Sequence, residues 1–581
     1  MERRSGQVKA QDFKSNWVAF SAARAQSVCL VLSSCALDEY NVDYVADYGY
    51  LVNDSPAEER EVDRDIKIFY AERYGGYGIM RNGGGTRSGQ SGRYQVKGIG
   101  LTPLAGPFVD ERYATGGMSL FVGLREMFGS VLLSAALPYG CVSCVALMQT
   151  GHTFKVKAGE SDTARALMVR EETIRIASFE RAIYFKPIKN FAESNITDRQ
   201  RVVNNFAQLL SSCPEGNSSS LDLTNQALSE VNKWVGSVAT QMAYARLQHI
   251  RHGALTSSNI DIAGRWLDLE TFRYLINPIG SLEVKEFFAE YRRVERSFAD
   301  VVFYIYKYVL GEVAGVSVAA SRVVALYRKL FDERLVEASL VKLGFSKRYV
   351  DSVGVTAEAR NLANFVQEIS GQDLRRPNAT FSCTAPIKHL PVIAYLLATH
   401  EGERLPCRQA VANAYQACEG AKQLCHQLYS DYVRQLQAVV GAAVASHIVK
   451  AAALVSARTC APFLSLEEGF LDAEIDSVLT VGRLNEEGVS SVRQKFSEWH
   501  SSVSNRFELP ASEVVLCWAY ADGGTLSFDI ETGMYRIKVK NDMRDIVCSQ
   551  LELLIPHYLA VSAMPATLRE LLGQRLPQKA P

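Results

Sequence analysis

The stretch HGALTSSNIDIAGRWLD, residues 252–268, decides how the rest of the chain is interpreted. A His-Gly turn leads to Asn259, and Asp268 closes an apolar run nine residues later. A carboxamide and a carboxylate at this separation, on the two sides of a tight hairpin, can share one divalent metal ion and hold the phosphates of a nucleotide. The sequence therefore predicts Asn259 and Asp268 as ligands of Mg²⁺ or Mn²⁺.

A glycine-rich segment upstream, residues 70–100, has the features of a phosphate-binding loop. It holds ten glycines and ends in an alternating, strand-like run that carries Lys97. Arg87 would add positive charge, and Lys97 would reach the phosphates from the neighbouring strand. The segment does not fit GxxxxGK[ST], and a flexible hairpin without a ligand is the alternative. Three consecutive glycines would let the backbone approach a phosphate closely: Gly83, Gly84 and Gly85.

Two further segments carry charged side chains that would complete such a site. Residues 118–136 have helical apolar spacing and carry Glu126, a partner for a buried Lys97. The alternative is a surface glutamate on an amphipathic helix. Arg170 and Arg175 lie around a short break at the end of a strand, where two guanidinium groups could clamp a polyphosphate. As isolated residues they would be solvated surface groups.

Five segments, in this order along the chain, resemble the selenoprotein O family of kinase-like protein adenylyltransferases. They are YGGY followed by GGGTR, then YQVKGIGLTP, LREMF, ETIRIASFE and the hairpin sequence quoted above. The resemblance covers about residues 66–275. It implies that Lys97 is the ATP lysine, that Glu126 is its ion-pair partner, and that Arg170 and Arg175 are the two phosphate arginines.

The resemblance also implies a chemistry. A family member would bind ATP in a flipped orientation, with the γ-phosphate buried by the arginines and the α-phosphate facing the acceptor. The products would be an AMP-modified acceptor and pyrophosphate. Such a transfer depends mainly on positioning and on charge neutralisation, which Mg²⁺, a lysine and two arginines can supply.

The chain departs from the family pattern at two places that matter for catalysis. The aspartate proposed as the family's base is replaced by Ser258, and Asp261 is the candidate that could substitute for it. The family's Asp-Gly pair, which precedes the helix that carries Glu126, is replaced by Thr115-Gly116. We predict that these two residues contact the nucleotide. A similar kinase-like pattern occurs in the maturation proteins of siderophore-microcin clusters, whose acceptors would be peptides or other natural products.

Three functions are weighed on these residues. The first is ATP- and Mg²⁺-dependent AMP transfer to a protein, peptide or small-molecule acceptor. The second is a kinase-type phosphotransferase, which Ala254 opposes because kinases with an HG turn usually place Asp after the glycine. The third is a catalytically inactive nucleotide-binding scaffold, which Ser258 favours and the retained Lys97 and Asp268 oppose.

Composition and charge limit the remaining possibilities. The 581 residues have a formal net charge of zero, so no long-range field attracts nucleic acid or an anionic membrane. No apolar, charge-free run reaches the ~20 residues of a membrane span, and no secretory signal is evident. We expect a cytoplasmic protein, with its scattered cysteines reduced. Cys141 and Cys144 form a C-x-x-C pair in an apolar segment and are predicted to be core residues.

The predicted fold is α+β, a protein-kinase-like bilobal fold with a large, mainly helical C-terminal extension. Its helical C-terminal half is also a candidate surface for a protein partner. Helices are predicted over 17–36, 118–136, 223–251, 283–299, 301–331, 357–370 and 408–458, the last one broken near Gly441. Strands are predicted over 142–149 and 153–156, with a hairpin over 528–535. The predicted parts are an N-terminal extension (1–65), a β-rich N-lobe (66–212), a helical C-lobe (213–400) and a helical region ending in a β-hairpin (401–581).

Overall fold

A computed structural model of the chain shows a mixed α and β fold with antiparallel sheets and many helices, as predicted at the level of fold class. The structure describes residues 9–33, 42–52, 65–79, 81–107, 115–156, 162–187, 197–211, 219–274, 282–369, 422–459, 472, 475–476, 479, 484–520, 524–539 and 542–548.

The largest sheet has eight antiparallel strands in the order β2-β7-β8-β6-β5-β4-β1-β3. The central strands β6 and β8 pair so that Gln95 lies opposite Arg170 and Lys97 opposite Met168. Since alternate residues of a strand point to the same face, this register places Lys97 and Arg170 on one face of the sheet. The strands are β1 Trp17–Arg24, β2 Cys29–Ser33, β3 Tyr50–Leu51, β4 Ile66–Glu72, β5 Ser88–Ser91, β6 Tyr94–Lys97, β7 Cys144–Phe154 and β8 Thr163–Glu171.

The helix predicted over residues 17–36 is wrong, because strands β1 and β2 occupy this stretch. Its alanines favour a helix, but β1 pairs with β4 along its length, from Trp17 opposite Glu72 to Ala23 opposite Ile66. Tertiary pairing here outweighs local preference. The stretch predicted as an N-terminal extension thus supplies three strands of the main sheet. The two strands predicted over 142–149 and 153–156 are one strand, β7, with an irregularity between Gln149 and Thr153.

Helices α2 and α11 pack against the main sheet, and helices make up most of the described residues from 282 to 507. The predicted face of the long helix α4, which includes Trp234, Val238 and Met242, is buried as expected. Cys141 and Cys144 are free and buried, as predicted for core residues. The helices are α1 Tyr44–Tyr48, α2 Leu120–Ala136, α3 Asp198–Leu210, α4 Ser220–Leu247, α5 Leu282–Ile305, α6 Val316–Lys342, α7 Lys347–Val353, α8 Ala357–Ile369, α9 Lys422–Val440, α10 Ala442–Thr459 and α11 Glu486–Phe507.

The continuous helix predicted over 301–331 is wrong. Helix α5 ends at Ile305, a π-helical turn follows, and Gly311 and Gly315 adopt positive φ before α6 begins at Val316. Glycine reaches this left-handed conformation without steric cost and so ends a helix.

The break predicted near Gly441 is confirmed, and Gly441 has φ +85°. The first part of that pattern, 408–421, lies outside the described residues. The hairpin predicted over 528–535 is confirmed and belongs to a second, four-stranded antiparallel sheet. Its strands are β11 Val514–Ala519, β12 Thr525–Asp529, β13 Met534–Val539 and β14 Asp542–Cys548.

Two short strands, β9 Ile250–Arg251 and β10 Arg273–Tyr274, pair with each other on either side of the 252–268 hairpin. Helix α5 fixes the start of the hairpin, because Glu290 accepts hydrogen bonds from the backbone N–H groups of His252 and Gly253. The two ends of the hairpin are therefore joined by the β9–β10 pair, and its start is also hydrogen-bonded to α5.

Among the described residues, none of the helices combines the length and the apolar character that a membrane crossing requires.

Candidate active site

A cavity lies between the main sheet and the 252–268 hairpin, and its lining brings together most of the predicted site residues. Charged groups from four separate elements converge there, so the cavity is suited to an anionic ligand rather than an apolar one. Of the predicted residues, the following line it: Gly84, Gly85, Arg87, Lys97, Arg170, Arg175, Ser258, Asn259 and Asp268.

Lys97 sits between two carboxylates. Its Nζ atom lies 2.6 Å from Glu126 Oε1 on α2 and 2.7 Å from Asp268 Oδ1 on the hairpin. Burial alone would lower the pKa of Lys97, but the charges of Asp268 and Glu126 outweigh it and raise the pKa. Lys97 is therefore a permanently charged ammonium group held at the cavity wall, and the predicted Lys97–Glu126 pair is present.

Arg170 and Arg175 both point at Asp268. Arg170 Nη1 lies 2.9 Å from Asp268 Oδ1, and Arg175 Nη1 lies 3.1 Å from Asp268 Oδ2. Gln95 orients Arg170 by accepting from its Nε and Nη2 atoms. Arg175 is held by Glu72, which lies 3.1 Å from its Nε atom. Both guanidinium groups line the cavity, and each has Asp268 as its partner there.

Asp268 is the centre of this cluster and has an unusual backbone. Its φ and ψ of 60° and 61° lie in the left-handed region, where Asp is among the few tolerated residues. Burial alone would raise the pKa of Asp268, but Lys97, Arg170 and Arg175 hold it well below its ordinary value. The carboxylate is thus fully ionised and neutralised by three cations.

Asn259 lies across the hairpin from Asp268. The backbone N–H of Leu267 donates to the backbone carbonyl of Asn259 at 3.2 Å, and the Asn259 amide nitrogen donates to Ala254 O at 2.8 Å. With its nitrogen engaged, the amide presents its oxygen as the available ligand. A carboxamide oxygen and a carboxylate on one hairpin fit the hard oxygen ligands that Mg²⁺ prefers.

The described residues contain no cluster of three or more His, Cys, Asp or Glu side chains that could hold a metal by themselves. A site of one carboxylate and one carboxamide would have to be completed by phosphate oxygens or water. A bare divalent cation would also enter beside three buried positive charges, which is electrostatically unfavourable. The residues therefore fit a metal that arrives together with an anionic nucleotide.

The predicted glycine loop contacts the site through part of its length. Gly84 has φ +144°, and an added Cβ would lie 2.1 Å from the carbonyl oxygen of Glu72. Arg87 Nη2 lies 2.8 Å from Glu270 Oε2, so the loop is tied to the segment that follows Asp268. Gly83 instead packs against Phe185 and is not among the residues that line the cavity.

The YGGY sequence in the first part of this loop carries part of the family resemblance, but no site residue was predicted there, and the next residue, Gly78, lies against the hairpin. An added Cβ at Gly78 would lie 2.2 Å from Thr256 Oγ1 and 2.5 Å from Ser258 Oγ. These two hydroxyl groups are themselves 2.8 Å apart. Tyr74, also at the cavity, places its ring 4.5 Å from the Arg175 guanidinium carbon. The YGGYG repeat of small residues beside tyrosines was the available sequence signal.

Besides Gly83 and Glu126, three predicted site residues lie outside the cavity lining: Asp261, Thr115 and Gly116. Asp261 is buried within the hairpin, where its carboxylate accepts from Thr173 Oγ1 at 2.9 Å and from Arg265 Nε at 2.7 Å. Its hydrogen-bonding capacity is used to hold the hairpin together. Thr115 accepts from the backbone of Gly117, and Gly116 packs against the backbone of Gly100. Thr115 and Gly116 therefore contact neighbouring backbone and are not part of the cavity lining.

Glu180 is a buried acid beside the cavity wall, and it leads to a prediction about pH. Burial raises the pKa of Glu180 to about 8, with Asp300 adding to the increase and Ser257 opposing it. The folded state then keeps a proton that the unfolded state releases above pH ~4.5. The contribution of Glu180 to the free energy of unfolding is therefore fully present below that pH and is lost as pH rises towards about 8.

Glu180→Gln should remove this dependence. From pH 5 to pH 8, the wild type should lose about 3 kcal/mol of unfolding free energy that the variant keeps. Urea unfolding of both proteins at the two pH values measures the difference. An equal change of stability with pH in both proteins would show that Glu180 is ionised in the folded state.

The segment that forms this site matches a known protein family. The family model described as "Protein adenylyltransferase SelO" matches residues 73–292. The matched segment contains the glycine loop, both arginines and the complete 252–268 hairpin. No curated protein matches the chain.

Proposed function

We propose, because the chain belongs to the SelO-like superfamily of protein adenylyltransferases, that this cavity binds ATP with a divalent metal and transfers its AMP group to an acceptor. The observation that carries the proposal is the pairing of Asp268 with Lys97, Arg170 and Arg175. The family is one of nucleotidyltransferases, and three convergent cations around one carboxylate form a site for a polyphosphate.

The proposed fold is a kinase-like pair of lobes. The main sheet with α2 would be the nucleotide lobe, within the predicted segment 66–212, and the helices from α4 onward would form the lobe below it. The geometry that supports this is the Lys97–Glu126 pair, which joins a sheet strand to a helix, together with Asp268 on a hairpin beneath them. This is the arrangement that phosphate-transferring kinases use for ATP.

The residues of this chain would act by binding and neutralisation. Arg170 and Arg175 would take the terminal phosphate, and Lys97, fixed by Glu126, would neutralise the phosphates nearer the reacting atom. When bound through Asn259 and Asp268, Mg²⁺ or Mn²⁺ would supply further charge neutralisation of the triphosphate. Pyrophosphate, buried against the arginines, would be the leaving group.

The acceptor side of the cavity carries hydroxyl groups where the family places its proposed base. Ser258 is paired with Thr256, and the acids that line the cavity, Asp268 and Glu270, are both engaged by cations. A hydroxyl acceptor would lose the help of a base, which typically contributes ~10²–10⁴-fold. A carboxylate acceptor is already ionised and needs no base, so a protein, peptide or small-molecule carboxylate is as suitable an acceptor as a hydroxyl.

The products formed from ATP test the proposal without knowledge of the acceptor. The full-length protein is incubated with Mg²⁺ and ATP labelled with ³²P at the α-phosphate or, separately, at the γ-phosphate. We expect slow release of labelled AMP and pyrophosphate, with AMP also attached to any acceptor present. Hydroxylamine then distinguishes acceptors, since it cleaves an acyl adenylate and spares a phosphodiester.

Formation of labelled ADP and γ-label transfer would show a phosphotransferase instead. Tight Mg²⁺–ATP binding by calorimetry without any product would show an inactive nucleotide-binding scaffold, the function that Ser258 favours. Lys97→Met, which removes the charge and keeps the length of the side chain, is the control for a contaminating activity.

A further inference from the structure

Helix α2, which carries Glu126, is apolar on nearly all of its sides. Its buried residues include Leu124 and Phe128 on one side and Glu126 and Leu133 on the opposite side, so they do not lie on a single face. A helix of this kind has to be covered on several sides to be stable. The position of Glu126 therefore depends on every element that packs against α2.

Two of the covering elements belong to the cavity itself. On the sheet side, an added Cβ at Gly123 would lie 2.4 Å from Leu147 Cδ1. On the hairpin side, Arg125 donates from Nε to the backbone carbonyl of Glu270 at 2.9 Å and from Nη2 to that of Phe272. These contacts fix α2 against the sheet and against the segment that follows Asp268.

The third covering element is α11, which is distant in sequence. Trp499 is 1% exposed, and its indole N–H donates to the backbone carbonyl of Phe128 at 2.9 Å. The ring of Phe128 lies 5.6 Å from that of Trp499 and 5.1 Å from that of Phe496. An aromatic cluster of this kind contributes through both burial and ring geometry.

Helix α11 is itself anchored to the sheet rather than only to α2. Arg493 donates to the backbone carbonyls of Leu30 and Val31 on strand β2, at 2.9 and 3.0 Å. The side-chain amide of Gln149 on β7 forms a reciprocal pair with the backbone of Leu484, at 2.7 and 3.0 Å. The contacts from Leu484 to Trp499 thus form a bridge from the sheet to the outer side of α2.

We propose that α11 braces the nucleotide site in cis: Trp499 and Phe496 hold α2 at the position from which Glu126 reaches Lys97. These residues lie outside the matched segment 73–292, so the brace is a contribution of the C-terminal region to the site. Trp499 is a positioning residue that acts through Glu126 and touches no ligand. The contact between α11 and α2 needs no ligand, so it applies to the free protein. The expected effect of Trp499 on nucleotide binding rests on the proposed function.

The test compares full-length Trp499→Ala with a matched control in the same C-terminal region. Phe528→Ala is the control, since Phe528 is fully buried but packs on Tyr535 of the second sheet and on His447 of α10 rather than on α2. Hydrogen exchange of the ligand-free proteins reports on α2, and calorimetry measures Mg²⁺–ATP affinity. We expect faster exchange across α2 and about three- to thirtyfold weaker binding in Trp499→Ala alone.

Combination with Glu126→Gln separates positioning from general destabilisation. If Trp499 acts through Glu126, Trp499→Ala should weaken Mg²⁺–ATP binding much less in the Glu126→Gln background, because coupled residues are not additive. Trp499→Phe, which keeps an aromatic ring, should restore most of the affinity.

Unchanged α2 exchange in Trp499→Ala would overturn the brace, as would equal effects of the two alanine variants or additive effects with Glu126→Gln. Phe496→Leu serves the same comparison if Trp499→Ala does not fold. Absence of ATP binding by the wild type, with α2 exchange still dependent on Trp499, would reject the proposed function and leave the brace intact.

Discussion

Asp268→Ala should abolish the dependence of ATP binding on Mg²⁺ and strengthen the binding of metal-free ATP. In the wild type, Asp268 neutralises Lys97, Arg170 and Arg175 and is the only carboxylate of the predicted metal pair. Without it, three buried cations lack their shared counterion, so metal-free ATP should bind more tightly than in the wild type. Mg²⁺ should then give no further gain, because a main ligand of the metal is missing.

The same substitution should destabilise the free protein. Removal of one partner from a buried ion pair typically costs about 3–5 kcal/mol, because the remaining charge is left without compensation. Saturating pyrophosphate should recover part of this loss, since it replaces the missing negative charge. Calorimetric titrations with and without Mg²⁺, together with thermal unfolding, measure both effects.

Asp261→Asn is the matched control for Asp268→Ala. Asp261 lies on the same hairpin and carries its own ion pair with Arg265, but it is outside the cavity lining. This variant should lose stability and keep the Mg²⁺ dependence of ATP binding. If Mg²⁺ still strengthened ATP binding in Asp268→Ala, Asp268 would not be a metal ligand.

Arg175→Ala should discriminate between nucleotides by their number of phosphates. Arg175 lines the cavity, with Glu72 at its Nε atom and Asp268 at its Nη1 atom, so it is suited to the terminal phosphate of a flipped ATP. Loss of its charge-assisted hydrogen bonds should weaken ATP binding about 10- to 100-fold. AMP affinity should change little, since AMP has no phosphate to place against Arg175.

Two variants sharpen this prediction. Arg175→Lys keeps the charge and loses the planar fork, so its ATP affinity should be intermediate. Arg265→Ala removes an arginine with two ion pairs, to Asp261 and Glu171, from outside the cavity and should leave both nucleotide affinities unchanged. Equal losses of ATP and AMP affinity in Arg175→Ala would place the arginine near the adenosine instead.

Much of the candidate site could be predicted from the sequence because short segments fix their own chemistry. Lys97, Glu126 and Asp268 were recognised from local patterns, and the structure brings them within hydrogen-bonding distance. The partners of the arginines could not be found in this way. Gln95 and Glu72 contact Arg170 and Arg175 only through strand register and through long-range packing, which no local pattern records.

The fold shows the same limit. Helices with strong apolar spacing, such as α2 and α4, were predicted close to their observed bounds. Strand β1 was not, because its alanine-rich sequence carries a helical preference that pairing with β4 overrides. The packing of α11 on α2 could not be predicted from the sequence either, because it brings together Trp499 and Phe128, which are 371 residues apart.

The most direct measurement of the central claim is a crystal structure of the full-length protein with Mg²⁺ and a non-hydrolysable ATP analogue. We predict that the terminal phosphate replaces Asp268 as the partner of Arg170 and Arg175, and that the carboxylate of Asp268 moves to the metal. A terminal phosphate that points to solvent, with Asp268 still paired to Lys97 and both arginines, would contradict the account.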